Sequence, residues 1–127
     1  MQERKSVHTI EEVYNVVKDV MDIRPQKIKI EFDGDMIKGN SQRYRVFFHK
    51  GTKCVRCGIE GKFFAKEKNI KDLSYHLNLY GIDENGNEVL MTKDHILPRS
   101  KNGKNDLENY QCMCVRCNCK KGNDLEE

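Results

Sequence analysis

The chain has 127 residues, 23 basic against 20 acidic, with 37% hydrophobic residues and no tryptophan. That length fits one domain with a modest core that gains from an added staple. No apolar run approaches the roughly 18 residues that span a bilayer, and the opening MQERKSVHTIEEVY has no apolar stretch of secretory type.

The expectation is a cytoplasmic protein with no membrane partner. In such surroundings the six cysteines are expected to bind metal and not to pair as disulfides. The formal net charge of +3 says little about partners, but its distribution says more. From Lys93 to Lys121 there are seven basic residues and three acidic ones. Residues 124–127 form an acidic tail.

Thr9 opens a helix with capping-box spacing to Glu12. Ile10, Val13, Tyr14, Val17, Val20 and Met21 share its apolar face, and Pro25 ends the element. Ile28, Ile30 and Phe32 then alternate with Lys27, Lys29 and Glu31, the pattern of a half-buried strand. Gly34 and Gly39-Asn40 mark turns. A second strand is expected with Tyr44, Val46 and Phe48 inward and Arg43 and Arg45 outward. Residues 1–50 thus read as a helix plus a β-hairpin, an accessory part of the same compact unit.

Lys53 to Gly58 has the form of a zinc knuckle, a tight turn whose amides point at thiolates. Gly61 to Lys66 reads as a short strand, and Lys66 to Asp72 as a loop or short helix. Tyr75, Leu77 and Leu79 alternate along a further strand. Asn85-Gly86 then turns the chain into a returning strand from Glu88 to Asp94.

Cys54 and Cys57 form one thiolate pair at C-x-x-C spacing, and Cys114 and Cys117 form another. Four thiolates fill tetrahedral zinc with no open position, so the expected ion is structural. Joining the pairs would close a long loop and add the staple that a small core needs. Cys112 and Cys119 are left as small buried hydrophobes. His8 and His49 read as surface residues, while His76, facing the same way as Asn78 on the strand expected to pair with the Asp94 strand, could approach the site.

Asp94-His95-Ile-Leu-Pro98, then Asn109, then Cys114-Val-Arg-Cys117-Asn118, and finally Lys121-Gly122-Asn123 together resemble the HNH endonuclease family. More narrowly, they look like its zinc-clamped branch, common in phage and mobile-element nucleases. The resemblance covers residues 51–123 and implies an α+β fold. Its core would be a ββα-metal (His-Me finger) unit with the four-cysteine zinc clamp, beside the N-terminal helix and hairpin. By the same resemblance Asn109 holds the loop that carries the base, and the products bear a 3′-hydroxyl and a 5′-phosphate.

The chemistry of the side chains agrees with that implication. Phosphodiester hydrolysis requires an activated water, and an imidazole suits the proton transfer. It also requires neutralisation of the phosphate and the leaving oxygen, which a divalent ion can provide. Asp94 and Asn118 offer the hard oxygens that magnesium or a similar ion takes, and His95 is then the base.

Two positions depart from the family pattern. Asn118 stands where the name implies histidine, which weakens any case for an imidazole-loving ion there. Asn102-Gly103 stands where Gly-Gly is usual, and asparagine can reach the left-handed backbone such a turn needs. Arg99, Lys101, Lys104, Lys120 and Lys121 flank the site as a phosphate-neutralising group.

The expected function is metal-dependent hydrolysis of DNA, with a homodimer and a phage or host protein partner both left open. Two other classes fit the same residues. One is a non-catalytic zinc-ribbon nucleic-acid-binding protein. The other is an interaction module that docks through the N-terminal helix and hairpin.

Overall fold

The computed structural model describes residues 2–25 and 27–122; Asn123 and the acidic stretch 124–127 lie outside the described residues. Seven strands are formed among the described residues: β1 (Gln2–His8), β2 (Lys29–Phe32), β3 (Asp35–Lys38), β4 (Gly61–Asn69), β5 (His76–Ile82), β6 (Glu88–His95) and β7 (Tyr110–Cys114). The helices are α1 (Ile10–Val17), α2 (Gln42–Arg45) and α3 (Val115–Lys121). Strands β1-β4-β5-β6-β7 make one antiparallel sheet in that spatial order, while β2 and β3 pair separately. The architecture is mixed α and β.

The capping box at Thr9 is formed. Its hydroxyl accepts from the Glu12 amide at 3.0 Å, and the Glu12 carboxylate accepts from the Thr9 amide at 3.2 Å. The helix buries Val13 and Val17 and packs on β4, ending at Val17; turns then carry the buried Met21 onward. Residues 2–8 form an edge strand on β4, an element that their polar run Gln2–Ser6 did not signal. The chain before residue 50 and the chain after it therefore share one sheet.

The hairpin of the N-terminal region is β2–β3, turning at Asp33 and Gly34, both at positive φ. The expected strand through Tyr44, Val46 and Phe48 is instead helical. Ser41 caps α2 through its hydroxyl, and a wider π-type turn continues from Val46 to Lys50. The alternation misled because residues three and four apart also converge on a helix. Tyr44, Phe47 and Phe48 all pack edge-on or tilted against Phe64, at 6.4, 6.2 and 6.1 Å between ring centroids. The stretch after Lys66 is likewise a correction, since β4 runs on to Asn69.

Two charged side chains sit inside this frame. Lys66 is fully buried and donates to the carbonyls of Phe32 and Asp33 at 3.0 and 2.8 Å and to the Asp35 carboxylate, pinning the β2–β3 hairpin to β4. Glu67 is buried between Arg4, Asn78 and Tyr80, all of which donate to it. A buried charge is tolerable only with such partners.

Candidate active site

Strand β6, strand β7 and helix α3 follow one another and carry most of the residues singled out from the sequence. Residues Met91 to His95 pair antiparallel with Cys114 back to Tyr110, and α3 packs on both strands. Helix α3 is capped by Cys114, whose sulfur accepts from the Cys117 amide at 3.5 Å. On the first pair, the Cys54 sulfur accepts from the Cys57 amide at the same 3.5 Å. The two knuckles thus present their sulfurs in the same way.

The sulfurs of Cys54, Cys57, Cys114 and Cys117 all lie within 4.8 Å of one another, and Cys57 Sγ is 3.8 Å from Cys114 Sγ. Tetrahedral zinc with Zn–S near 2.3 Å implies sulfurs about 3.8 Å apart, so the donor set and its spacing fit that ion. Burial pushes the Cys54 thiol up. It is outweighed by the amides of Cys57, Cys114 and Arg56 and the Cys57 thiol, which bring it down to about 6. Burial, then the neighbouring thiols, pushes Cys117 up to about 12. A dication is what lets all four ionise together.

Cys112 is buried and raised by desolvation to about 12, in keeping with a small hydrophobe. Cys119 is exposed, which corrects its expected burial. His8 corrects the surface expectation as well: it bonds Ser6 and Glu12 and packs edge-on to Phe32 at 4.6 Å.

Beyond the clamp, one open cavity of about 270 Å³ is lined by Lys93, Asp94, His95, Pro98, Arg99, Ser100, Asn118 and Gly122. Asp94 and His95 reach it together because β6 ends at His95, so the alternation of faces no longer separates them. Asp94 is 6% exposed, and its Oδ2 accepts from Lys121 Nζ at 2.7 Å and Gln111 Nε2 at 2.8 Å. Among the described residues nothing bonds its Oδ1. Asn118 donates through Nδ2 to Thr92 Oγ1 at 2.9 Å, and Thr92 in turn donates to the Met113 carbonyl at 2.6 Å. That chain fixes the amide so that its oxygen is the atom left over. Two oxygens therefore remain available beside one cavity, a donor set of the kind a hard cation takes.

His95 packs edge-on against Tyr110 at 5.0 Å, and its Nε2 contacts Asn105 Oδ1 at 2.8 Å. An amide oxygen only accepts, so Nε2 is the donor in this contact. Asn109 spans the loop after β6. Its Oδ1 accepts from the Leu97 amide at 2.9 Å, and its Nδ2 donates to the carbonyls of Leu97 at 3.0 Å and Lys104 at 2.8 Å. Asn102 takes the left-handed backbone, with φ +70. Gly103 folds so close to the chain that a Cβ there would stand 1.7 Å from the Leu97 carbonyl oxygen.

Residues 81–124 match the HNH endonuclease family model. The match takes in the end of β5, all of β6, β7 and α3, and the pair Cys114 and Cys117. It begins after Cys54 and Cys57, which lie outside the HNH segment. Comparison with curated proteins and with solved structures gives no match. Among the described residues no helix is long and apolar enough to cross a membrane.

Two residues of the HNH segment hold places that sequence reasoning missed. Asn105, an exposed loop residue, is the partner of the His95 ring, and nothing in its sequence context signals that role. Lys121 is 4% exposed and donates to Asp94 and to the His95 carbonyl, so it does not join the flanking phosphate-facing lysines as expected. Its spacing of one helical turn from Asn118, on the same face of α3, is the signal that would have found it. Lys101, Lys104 and Lys120 are exposed, and Arg99 lines the cavity. Burial, and after it the charge of Arg43, holds the Lys93 ammonium below its ordinary value.

Proposed function

We propose that this protein is a metal-dependent endonuclease that hydrolyses phosphodiester bonds in DNA, with a ββα-metal core formed by β6, β7 and α3. The observation that carries the reading is the single cavity onto which His95, Asp94 and Asn118 all open. His95 acts through Nδ1 as the base for the attacking water, its Nε2 proton committed to Asn105. Positioned proton transfer of this kind is typically worth about 10²–10⁴-fold.

Asp94 Oδ1 and Asn118 Oδ1 would hold a divalent ion such as magnesium, which when bound supplies charge for the phosphate and the leaving oxygen. Lys121 keeps the Asp94 carboxylate in one orientation and neutralises half of its acceptor capacity. One carboxylate already paired with an ammonium gives a weak cation site, expected to fill at millimolar magnesium. Asn109 holds the backbone from Leu97 to Lys104 in register with the base. Arg99 and Lys93 line the cavity and can meet the phosphate oxygens.

The four cysteines take zinc as the structural ion, and β1 completes the sheet on which the core rests. The chain works inside the cell. Its likeness to phage and mobile-element nucleases, and the open choice between one copy and two, bear on whether one strand or both are cut.

The test is a magnesium and EDTA titration of cleavage on supercoiled plasmid. Nicked or linear product that appears with magnesium and disappears with EDTA supports the reading. Retention of DNA with no magnesium-dependent cleavage would favour a zinc-ribbon binding protein instead.

A further inference from the structure

A second concavity lies outside the HNH segment, between the β3–α2 stretch and the start of β5. It has a volume of about 230 Å³ and is lined by Lys38, Ser41, Arg43, Tyr44 and His76. Arg43 is held before any ligand arrives. Its Nη1 donates to Asn78 Oδ1 at 2.8 Å and its Nη2 to the Leu77 carbonyl at 3.1 Å. Asn78 is fixed in turn by donating to the buried Glu67 carboxylate at 2.8 Å. Both groups that Arg43 meets are neutral, so its charge is positioned but not cancelled. A guanidinium whose rotamer is already fixed loses little freedom when an anion binds.

The surrounding charge has the same sign. Lys38 and Lys29 are directly opposite in the β2–β3 ladder, an arrangement of like charges that costs stability in a strand pair. Burial of His76, and after it Arg43, Lys38 and Lys29, favour its neutral form, with Asp72 opposing, 3.9 Å from its Nε2. A cluster that is unfavourable for the folded chain alone is favourable once a polyanion covers it.

The position relates this cluster to the HNH cavity. The β5–β6 ladder stops at Tyr80 and Leu90, and beyond that point α2 packs against β6. Arg43, on α2, reaches the Leu77–Asn78 end of β5, and α2 packs against β6, the strand whose Lys93 lines the HNH cavity. Positive side chains thus run from Arg99 and Lys93 through Arg43 to Lys38.

We propose that the Lys38–Arg43–His76 concavity is a second phosphate subsite, which takes a backbone phosphodiester of the same nucleic-acid strand whose scissile phosphate occupies the Asp94–His95–Asn118 cavity. The inference rests on the nuclease reading above. Recognition there is electrostatic and independent of base sequence.

The test measures binding of an end-labelled DNA oligonucleotide in EDTA across a salt series, and cleavage of the same oligonucleotide with magnesium. The proteins are wild type, Lys38→Gln, Arg43→Gln and, as a distant control, Lys18→Gln. Lys38 is exposed, so its variant keeps the question decidable if Arg43→Gln loses its fold. Lys38→Gln is expected to flatten the slope of log K against log salt by about 0.7–0.9, the contribution of one phosphate contact. It should also raise KM roughly two- to fivefold with kcat kept, while Lys18→Gln changes neither. Wild-type cleavage with an unchanged slope and KM in Lys38→Gln would overturn the subsite alone. A wild type that neither binds nor cleaves DNA would overturn both the subsite and the nuclease reading.

Discussion

Removing one thiolate of the clamp is predicted to unfold much of the chain, and the size of the effect follows from the structure. Cys57 and Cys114 are 57 positions apart, with their sulfurs 3.8 Å from each other. Cross-linking a loop of that length removes about 4 kcal/mol of closure entropy from the unfolded chain. Apparent zinc affinities of roughly 10–16 kcal/mol set the upper bound, against a total stability of about 5–15 kcal/mol for a domain. Cys57 is exposed, so Cys57→Ser leaves no cavity and reports on the metal alone. At roughly 3–5 °C per kcal/mol for a chain of this size, Tm should fall by at least about 12 °C. The assay is thermal unfolding by circular dichroism, paired with zinc content per chain, and exposed Cys119→Ser serves as the control that keeps both. A zinc-free Cys57→Ser protein that melts within a few degrees of wild type would refute the clamp as the fold's staple.

Asn109→Ala removes three hydrogen bonds that close the loop after β6. At about 1 kcal/mol each, it should speed hydrogen exchange of the Leu97 amide by roughly two decades; unchanged protection would show that the brace is dispensable. Asn105→Ala frees the His95 ring and should lower single-turnover kcat about two- to tenfold without moving KM, and equal rates would deny Asn105 its part. Burial raises the Tyr44 phenol to about 12, above its ordinary value near 10. The neutral phenol is thus favoured by folding. That stability is full below pH 10 and is lost as pH rises through 12, by about 3 kcal/mol at most. Tyr44→Phe should flatten the alkaline fall in a urea-midpoint series, though partially, because Tyr80 is raised to about 12 as well.

The clamp was legible because thiolate spacing and metal geometry leave little freedom: two C-x-x-C turns can meet in few other ways. The start of β6 was legible through the Asn85-Gly86 turn, while the loop, strand and helix after it were implied by the family resemblance and not by local pattern. Residues 42–50 were misread because Tyr44, Val46 and Phe48 satisfy a strand period, whereas the burial of Tyr44, Phe47 and Phe48 against Phe64 satisfies a helical one. Tertiary contact with β4 decided between them. β1 was invisible for a related reason, since an edge strand can be mostly polar.

The side-chain pairings of the site followed the same division. Asp94, His95 and Asn118 could be selected by residue type and spacing, and they open on one cavity. Lys121 and Asn105 could not be assigned, because whether a lysine faces solvent or a buried carboxylate depends on where α3 docks. The choice of one loop asparagine over another depends on the path of the backbone between Pro98 and Asn109.

The central claim is that the His95 imidazole activates water beside a bound phosphodiester. It is tested most directly by single-turnover cleavage of end-labelled DNA in magnesium, with wild type and His95→Ala measured together with DNA affinity and zinc content. The account predicts that His95→Ala binds DNA and holds zinc like wild type while cleavage falls by about 10²–10⁴-fold. Cleavage at the wild-type rate by a folded, zinc-loaded His95→Ala protein would contradict it.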